Sequence, residues 1–270
     1  MELILILFLI ILGILVGAFG TLIGVGGGFI IVPLLILIYN FEPKIAVGTS
    51  LMIVFLNSFS GSLAYIKQKR VDFKVGLLFA LLTIPGAFLG AYIVNYNYIK
   101  SNLFKAIFSL ILILLSLQLI IKPWKKFSNL KINGTHHRRI VNGEGNIYEY
   151  SISLTKGLLI SFCVGFVSSI FGVGGGIIHV PAMILLLGFP THIATATSYF
   201  ILIFTSITGV LTHASLNNVK LNFAIPIGFG VIIGAQISVF LSKKIKGRFV
   251  EKILGLTLLM LAIRLMLEAF

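Results

Sequence analysis

The chain has 270 residues, 58% of them apolar and only 10% charged, and its mean hydropathy is +1.11. A soluble domain carries about 25% charged residues, so the composition excludes an ordinary water-soluble fold and points to an integral membrane protein. The formal net charge of +14 does not indicate a nucleic-acid partner, because the Lys and Arg fall in short loops between apolar runs and no RNA-binding or zinc-finger pattern occurs.

The first apolar run, 3–23, is long enough to cross a hydrocarbon core of about 30 Å. Met1-Glu2 offers no positive leader and no small-residue cleavage site follows, so this run reads as a retained transmembrane helix. Gly24-Val25-Gly26-Gly27-Gly28 ends it. A short helix at 29–39 follows, then long helices at 45–66, 75–94 and 103–121. Residues 122–150 are polar and basic (Lys122, Lys125, Lys126, Lys131, Arg138, Arg139), with Asn133-Gly134 and Asn142-Gly143 turn signals, and read as a mobile connecting loop. Helices are then expected at 155–171, 177–188, 193–213, 223–242 and 253–268.

The two halves are copies. Gly172-Val173-Gly174-Gly175-Gly176 repeats the first glycine run at an offset of 148. The same offset, without a gap, pairs Gly17 with Gly165, Pro33 with Pro181, Phe41 with Phe189, Thr49-Ser50 with Thr197-Ser198 and Gly86-Ala87 with Gly234-Ala235. Apolar text matched by chance aligns Leu on Leu; aligned Gly, Pro, Thr and Ser mark a duplication. The expected organisation is a first membrane repeat at 1–121, a basic cytoplasmic linker at 122–150 and a second membrane repeat at 151–270.

Loop charge sets the orientation. Lys67, Lys69, Arg70 and Lys74 join the third and fourth elements of the first unit, where the second unit has only Lys220. One loop later the bias reverses: Lys100 stands alone, against Lys243, Lys244, Lys246 and Arg248. Placing 67–74, 122–150 and 243–252 in the cytoplasm accounts for every Lys and Arg except Lys44, Lys100, Lys105, Lys220 and Arg264, counting Lys156 with the linker. Equivalent loops then lie on opposite sides and both termini lie outside. The fold expected is all-α and integral to the membrane, with two inverted repeats of about five helical elements each and a short discontinuous helix after each glycine turn.

A helix of about 12 residues reaches only about 18 Å, so the short helices should start within the bilayer, where irregular backbone must be buried or line a polar cavity. A helix N-terminus offers free N–H groups and partial positive charge, and glycine lets an anion approach them closely. Gly26, Gly27, Gly28, Gly174, Gly175 and Gly176 are therefore candidate substrate-binding residues, against the plainer role of close helix packing. Thr49, Ser50, Thr197 and Ser198 could donate to the same anion or bond back to their own helices. Asn57 and Gln236 break the repeat, which favours helix–helix hydrogen bonding over substrate contact. His179 matches Ile31 and is a candidate proton carrier or a structural donor. Cys163, the only cysteine, excludes an internal disulfide and any cysteine-rich metal cluster.

No Asp or Glu falls in the middle of an expected span, unlike a typical cation antiporter, and no ATP-binding loop occurs. The remaining readings are a secondary transporter, an anion channel or an intramembrane enzyme. The last lacks a clustered reactive set, so the chain reads as a non-enzyme with neither cofactor nor metal.

A duplicated Gly-x-Gly-Gly-Gly, a following proline and then a small-Thr-Ser segment resembles the TauE/SafE sulfite exporter family. Here these are Gly24 to Pro33 with Gly48-Thr49-Ser50, and Gly172 to Pro181 with Ala196-Thr197-Ser198. The resemblance covers nearly the whole chain outside 122–150. It implies a multi-pass protein of a prokaryotic inner membrane that transports small sulfur-containing anions such as sulfite or organosulfonates, commonly as export. The partners implied are the anion and membrane lipid, with no nucleic acid; a homo-oligomer stays open.

Overall fold

The computed structural model describes residues 2–95, 100–121, 134, 136–241 and 247–269. In chain order the elements are α1 (Glu2–Ile23), α2 (Gly28–Leu37), α3 (Pro43–Lys67), α4 (Phe73–Asn95), α5 (Ser101–Ile121), β1 (His136–Val141), β2 (Ile147–Ile152), α6 (Leu154–Phe171), α7 (Gly176–Leu187), α8 (Thr191–Ser215), α9 (Leu221–Leu241) and α10 (Gly247–Leu267). The expected helices are all present within a few residues, except that α10 starts six residues earlier than its apolar run suggested. Among the described residues, seven helices are long and apolar enough to cross a membrane: α1, α3, α4, α5, α6, α8 and α9. At 10 and 12 residues, α2 and α7 reach only about 15 and 18 Å.

The connecting segment differs from a plain loop. Its residues 122–133 and 135 lie outside the described residues, and the rest folds as an antiparallel hairpin pairing His136 with Ile152 through Val141 with Ile147. Asn142-Gly143, read as a turn signal, forms the turn. The Asn142 side-chain oxygen accepts the N–H of Glu144 and of Asn146, at 3.0 and 2.8 Å, the Asx geometry that fixes a tight reversal. Tyr150 and Ile152 turn inward and are buried.

The helices pack by exchange between the repeats. α1 lies along α9 and α6 along α4; α3 meets α9 and α8 meets α4; α3 pairs with α8 and α5 with α10. Replacing each helix by its counterpart returns the same set, as a two-fold relation requires. Single contacts reciprocate too. A Cβ on Gly17 would meet the Val231 backbone, and one on its counterpart Gly165 would meet the backbone of Thr83, the counterpart of Val231. Gly86 meets Phe162, and Gly234 meets Ile14, in the same reciprocal way. Small residues bring these backbones together, the usual solution where no hydrophobic effect drives helices to associate.

α3 and α8 run antiparallel through the middle. Gly61, late in α3, lies against Tyr199, early in α8; Gly209, late in α8, lies against Leu51, early in α3. The α3–α4 connection therefore sits at one end of this pair and the equivalent α8–α9 connection at the other, the arrangement an inverted repeat requires. Outward faces carry exposed Leu81, Leu114, Leu211 and Phe240, a surface suited to lipid.

Candidate functional site

Each glycine turn delivers a short helix into the protein interior. Gly27 caps α2 at φ 85° and Gly175 caps α7 at φ 88°. A side chain is strained in this left-handed region, and a Cβ on Gly27 would also stand 2.6 Å from the Val16 side chain. The cap residues thus bring no side chain to the first N–H groups of α2 and α7, which have no intrahelical partners. Residues 24–28 and 172–176 are all buried.

The two turns meet. A Cβ on Gly28 would overlap the Gly172 carbonyl, and one on its counterpart Gly176 would lie 2.5 Å from the Gly24 carbonyl. The start of each short helix therefore faces the opposite turn at van der Waals distance. Val54 and Leu202, equivalent residues of α3 and α8, flank both Gly26 and Gly174 and are buried. They pack against both turns from α3 and α8.

Polar side chains dress this centre unequally. Ser50 Oγ donates to the Gly172 carbonyl at 2.8 Å, tying α3 to the second turn. Its counterpart Ser198 is fully buried, and its hydroxyl has no hydrogen-bond partner among the described residues. Asn57 Nδ2 donates to the Gly26 carbonyl at 2.9 Å and to Tyr199 Oη at 3.3 Å, while its Oδ1 accepts from Thr21 Oγ1 at 3.1 Å. Tyr199 Oη donates to Thr21 Oγ1, and Tyr65 Oη donates to the Thr21 carbonyl. The first turn is thus clamped by a closed network. At the equivalent positions of the second repeat, Thr205 bonds back to its own helix, and the buried hydroxyls of Ser168 and Ser169 have no hydrogen-bond partner among the described residues.

Other candidates lie elsewhere. Thr49 and Thr197 do not turn toward the glycines. Thr197 Oγ1 accepts the Asp72 N–H, and Thr49 Oγ1 accepts the Lys220 N–H, both at 3.0 Å. Asp72 and Lys220 are equivalent residues preceding α4 and α9, so the threonines hold helix starts. His179 pairs with Ser161 at 3.2 Å and joins α7 to α6. Gln236 donates to the Ser60 carbonyl and hydroxyl, both at 2.9 Å, joining α9 to α3.

Three features carried no sequence signal. Thr21, Tyr65 and Tyr199 match Ser169, His213 and Leu51 across the repeat, so duplication did not single them out. Val54 and Leu202 read as ordinary apolar text. The third is a charge cluster at the end of α3 and start of α4, where Asp72 accepts from Arg138 and Tyr150 of the hairpin. Burial pushes the Asp72 carboxyl up, but the Arg138 and Tyr150 hydrogen bonds and the Val75 N–H outweigh it and hold the carboxyl below its usual range. Burial and the neighbouring Asp72 charge push the Tyr150 phenol up. Its acidic partner sat in a loop, 66 residues from Arg138, so pairing was not legible.

A family model described as sulfite exporter TauE/SafE matches residues 9–265. The chain is 36% identical to the probable membrane transporter protein YunE of Bacillus subtilis, covering 96% of this chain and 97% of that one. It is 28% identical to a probable membrane transporter protein of Methanocaldococcus jannaschii, over 92% and 91% of the two chains. Identity to YjnA of Bacillus subtilis, also named a probable membrane transporter, is 27% over 95% and 98%. No solved structure matches.

Proposed function

The chain belongs to the sulfite exporter TauE/SafE family, and from that premise we propose that it is a secondary transporter of small sulfur oxyanions, sulfite or an organosulfonate, exporting them across a prokaryotic inner membrane. The observation that carries this reading is the meeting of the two glycine turns. Two helix starts, each with free N–H groups and partial positive charge, converge on one buried centre from related directions. In this reading the backbone N–H groups of Gly27, Gly28, Gly174, Gly175 and Gly176 and the Ser198 hydroxyl serve the anion, while the Gly26 N–H is already donated to the Gly20 carbonyl at 3.3 Å and the Ser50 hydroxyl to the Gly172 carbonyl at 2.8 Å. Thr49 and Thr197 act through the helix starts they hold.

A site of dipoles and a hydroxyl suits a carrier, because it binds an anion without the deep well a buried Lys or Arg would create. The turns touch, and Val54 and Leu202 pack against both, which favours a gated carrier over an open channel. Loop charge supports putting 67–74 and the hairpin in the cytoplasm. The repeats then rock against each other about the glycine turns to expose the site to either side. The test is sulfite efflux from proteoliposomes: the wild-type chain should move sulfite saturably, and linear flux without saturation would favour a channel.

A further inference from the structure

We propose that the β1–β2 hairpin is a latch that closes the cytoplasmic mouth and must release Asp72 in every transport cycle. The inference rests on the alternating-access reading above. Asp72 stands where the two repeats join. Its Oδ1 accepts the Val75 N–H at 3.2 Å and so caps α4, while its own N–H donates to Thr197 Oγ1 of α8 at 3.0 Å. The carboxylate is fully buried, a costly state for a charge unless it is paired and hydrogen-bonded.

The hairpin supplies the partners. Arg138 Nε donates to Oδ2 at 2.8 Å and Arg138 Nη2 to Oδ1 at 2.6 Å, and Tyr150 Oη donates to Oδ2 at 2.7 Å. Such a bidentate, charge-assisted pair is among the strongest side-chain contacts and is directional. Two further grips reinforce it. The Gly143 N–H donates to the Gln68 carbonyl at 2.9 Å, and the Tyr150 ring packs on Phe189 at 4.7 Å between centroids. The hairpin therefore touches the α3–α4 connection of one repeat and the α7–α8 connection of the other. Those are the parts that must separate if this mouth is to open.

The opposite mouth is built differently from the same plan. Lys220 replaces Asp72, its N–H held by Thr49 in the same way, and a lysine gives an arginine nothing to bind. Beside it, Phe41 packs on Phe223 and lines a cavity of about 500 Å³ with Asn40, Lys44, Val94 and Lys105. One end is strapped by the hairpin through Asp72, and at the other Lys220 occupies the equivalent place.

Two experiments on a Cys163→Ser background test the latch. Gln68→Cys with Gly143→Cys uses backbones in contact: a Cβ on Gly143 would lie 3.9 Å from the Gln68 Cα, within disulfide reach. Oxidation should slow sulfite efflux about tenfold or more, with recovery on reduction; efflux by the cross-linked protein as fast as by its dithiol form would overturn the latch. Separately, Ala194→Cys, buried in the first turn of α8, should react with maleimide from the cytoplasmic side about tenfold faster when Arg138→Gln is added. Equal labelling rates would overturn the proposal. Labelling needs no substrate, so it decides the latch even if no sulfite moves, an outcome that counts against the anion reading alone.

Discussion

The two glycine turns share a sequence, a backbone and a place in the fold, yet their surroundings differ. The first is gripped by Asn57, Tyr199 and Thr21 in a closed hydrogen-bond network. The second takes one side-chain bond, from Ser50 to the Gly172 carbonyl, and the buried hydroxyls of Ser168, Ser169 and Ser198 in the second repeat have no partners among the described residues. What duplication kept is the main chain: left-handed glycines at equivalent places and helix starts that touch the opposite turn. What it let drift is the side-chain shell. The lesson is that the backbone is the shared working part, while the first turn is the fixed support and the second is the more adaptable.

The strongest way to break this comparison is to damage both backbones alike. Gly27→Val and Gly175→Val each force a β-branched side chain into positive φ, against Val16 or Val164. Each should lower transport by about 100-fold or more, the scale set by a misplacement of about 1 Å at a site, with membrane insertion intact by protease protection. If only one variant lost activity, the two turns would not be working partners.

The next test separates the shells. Asn57→Ala removes bonds to Gly26, Thr21 and Tyr199 and leaves buried groups unpaired, so it should cost about 2–3 kcal/mol in a denaturation series. Thr205→Ala at the equivalent position loses one bond to its own helix and should cost about 0.5 kcal/mol. Equal costs would erase the asymmetry. Smaller still, Thr197→Val and Thr49→Val each remove an acceptor for a helix start and should lower thermal stability by about 1 kcal/mol, with apparent anion affinity little changed.

The hairpin adds a pH expectation. Asp72 has its carboxyl pKa lowered in the fold, so its contribution is present above the usual value of about 3.9 and is lost as pH falls through the lower folded value. Tyr150 has its phenol pKa raised; its contribution is present below about 10 and is lost only as pH rises through the folded value. Maleimide labelling of Ala194→Cys should therefore stay constant from about pH 5 to 9, after correction for thiol ionisation. A step near neutrality would implicate another titrating group.

Much of this architecture was legible because the repeat was gapless. The offset fixed the glycine turns, the short helices and their order, and opposite loop charge anticipated the antiparallel α3–α8 pair. Helix–helix bonding by Gln236 followed from its breaking the repeat. The roles of Thr49 and Thr197 were not legible, because a hydroxyl one residue from Ser50 or Ser198 points to another neighbour, and helical pitch fixes that only once the partner helices are placed. The Asp72–Arg138 pair and the Asn57 network join residues 66 and 142 positions apart, and single-sequence periodicity carries no such information. The hairpin was read as loop because β1 is short and basic, although Ile147-Tyr148-Glu149-Tyr150-Ser151-Ile152 alternates strand-favouring residues just after the Asn142-Gly143 turn.

The most direct measurement of the central claim is anion-dependent thermal stabilisation of the purified chain beside its Gly27→Val and Gly175→Val variants. At 100 times its dissociation constant a ligand bound only to the folded state adds about 2.7 kcal/mol. Sulfite or an organosulfonate should raise the melting temperature of the wild-type chain in a saturable way, chloride should not, and both variants should lose the response. Equal sulfite stabilisation of the wild type and both variants would contradict the account, because the anion would then be bound away from the glycine turns.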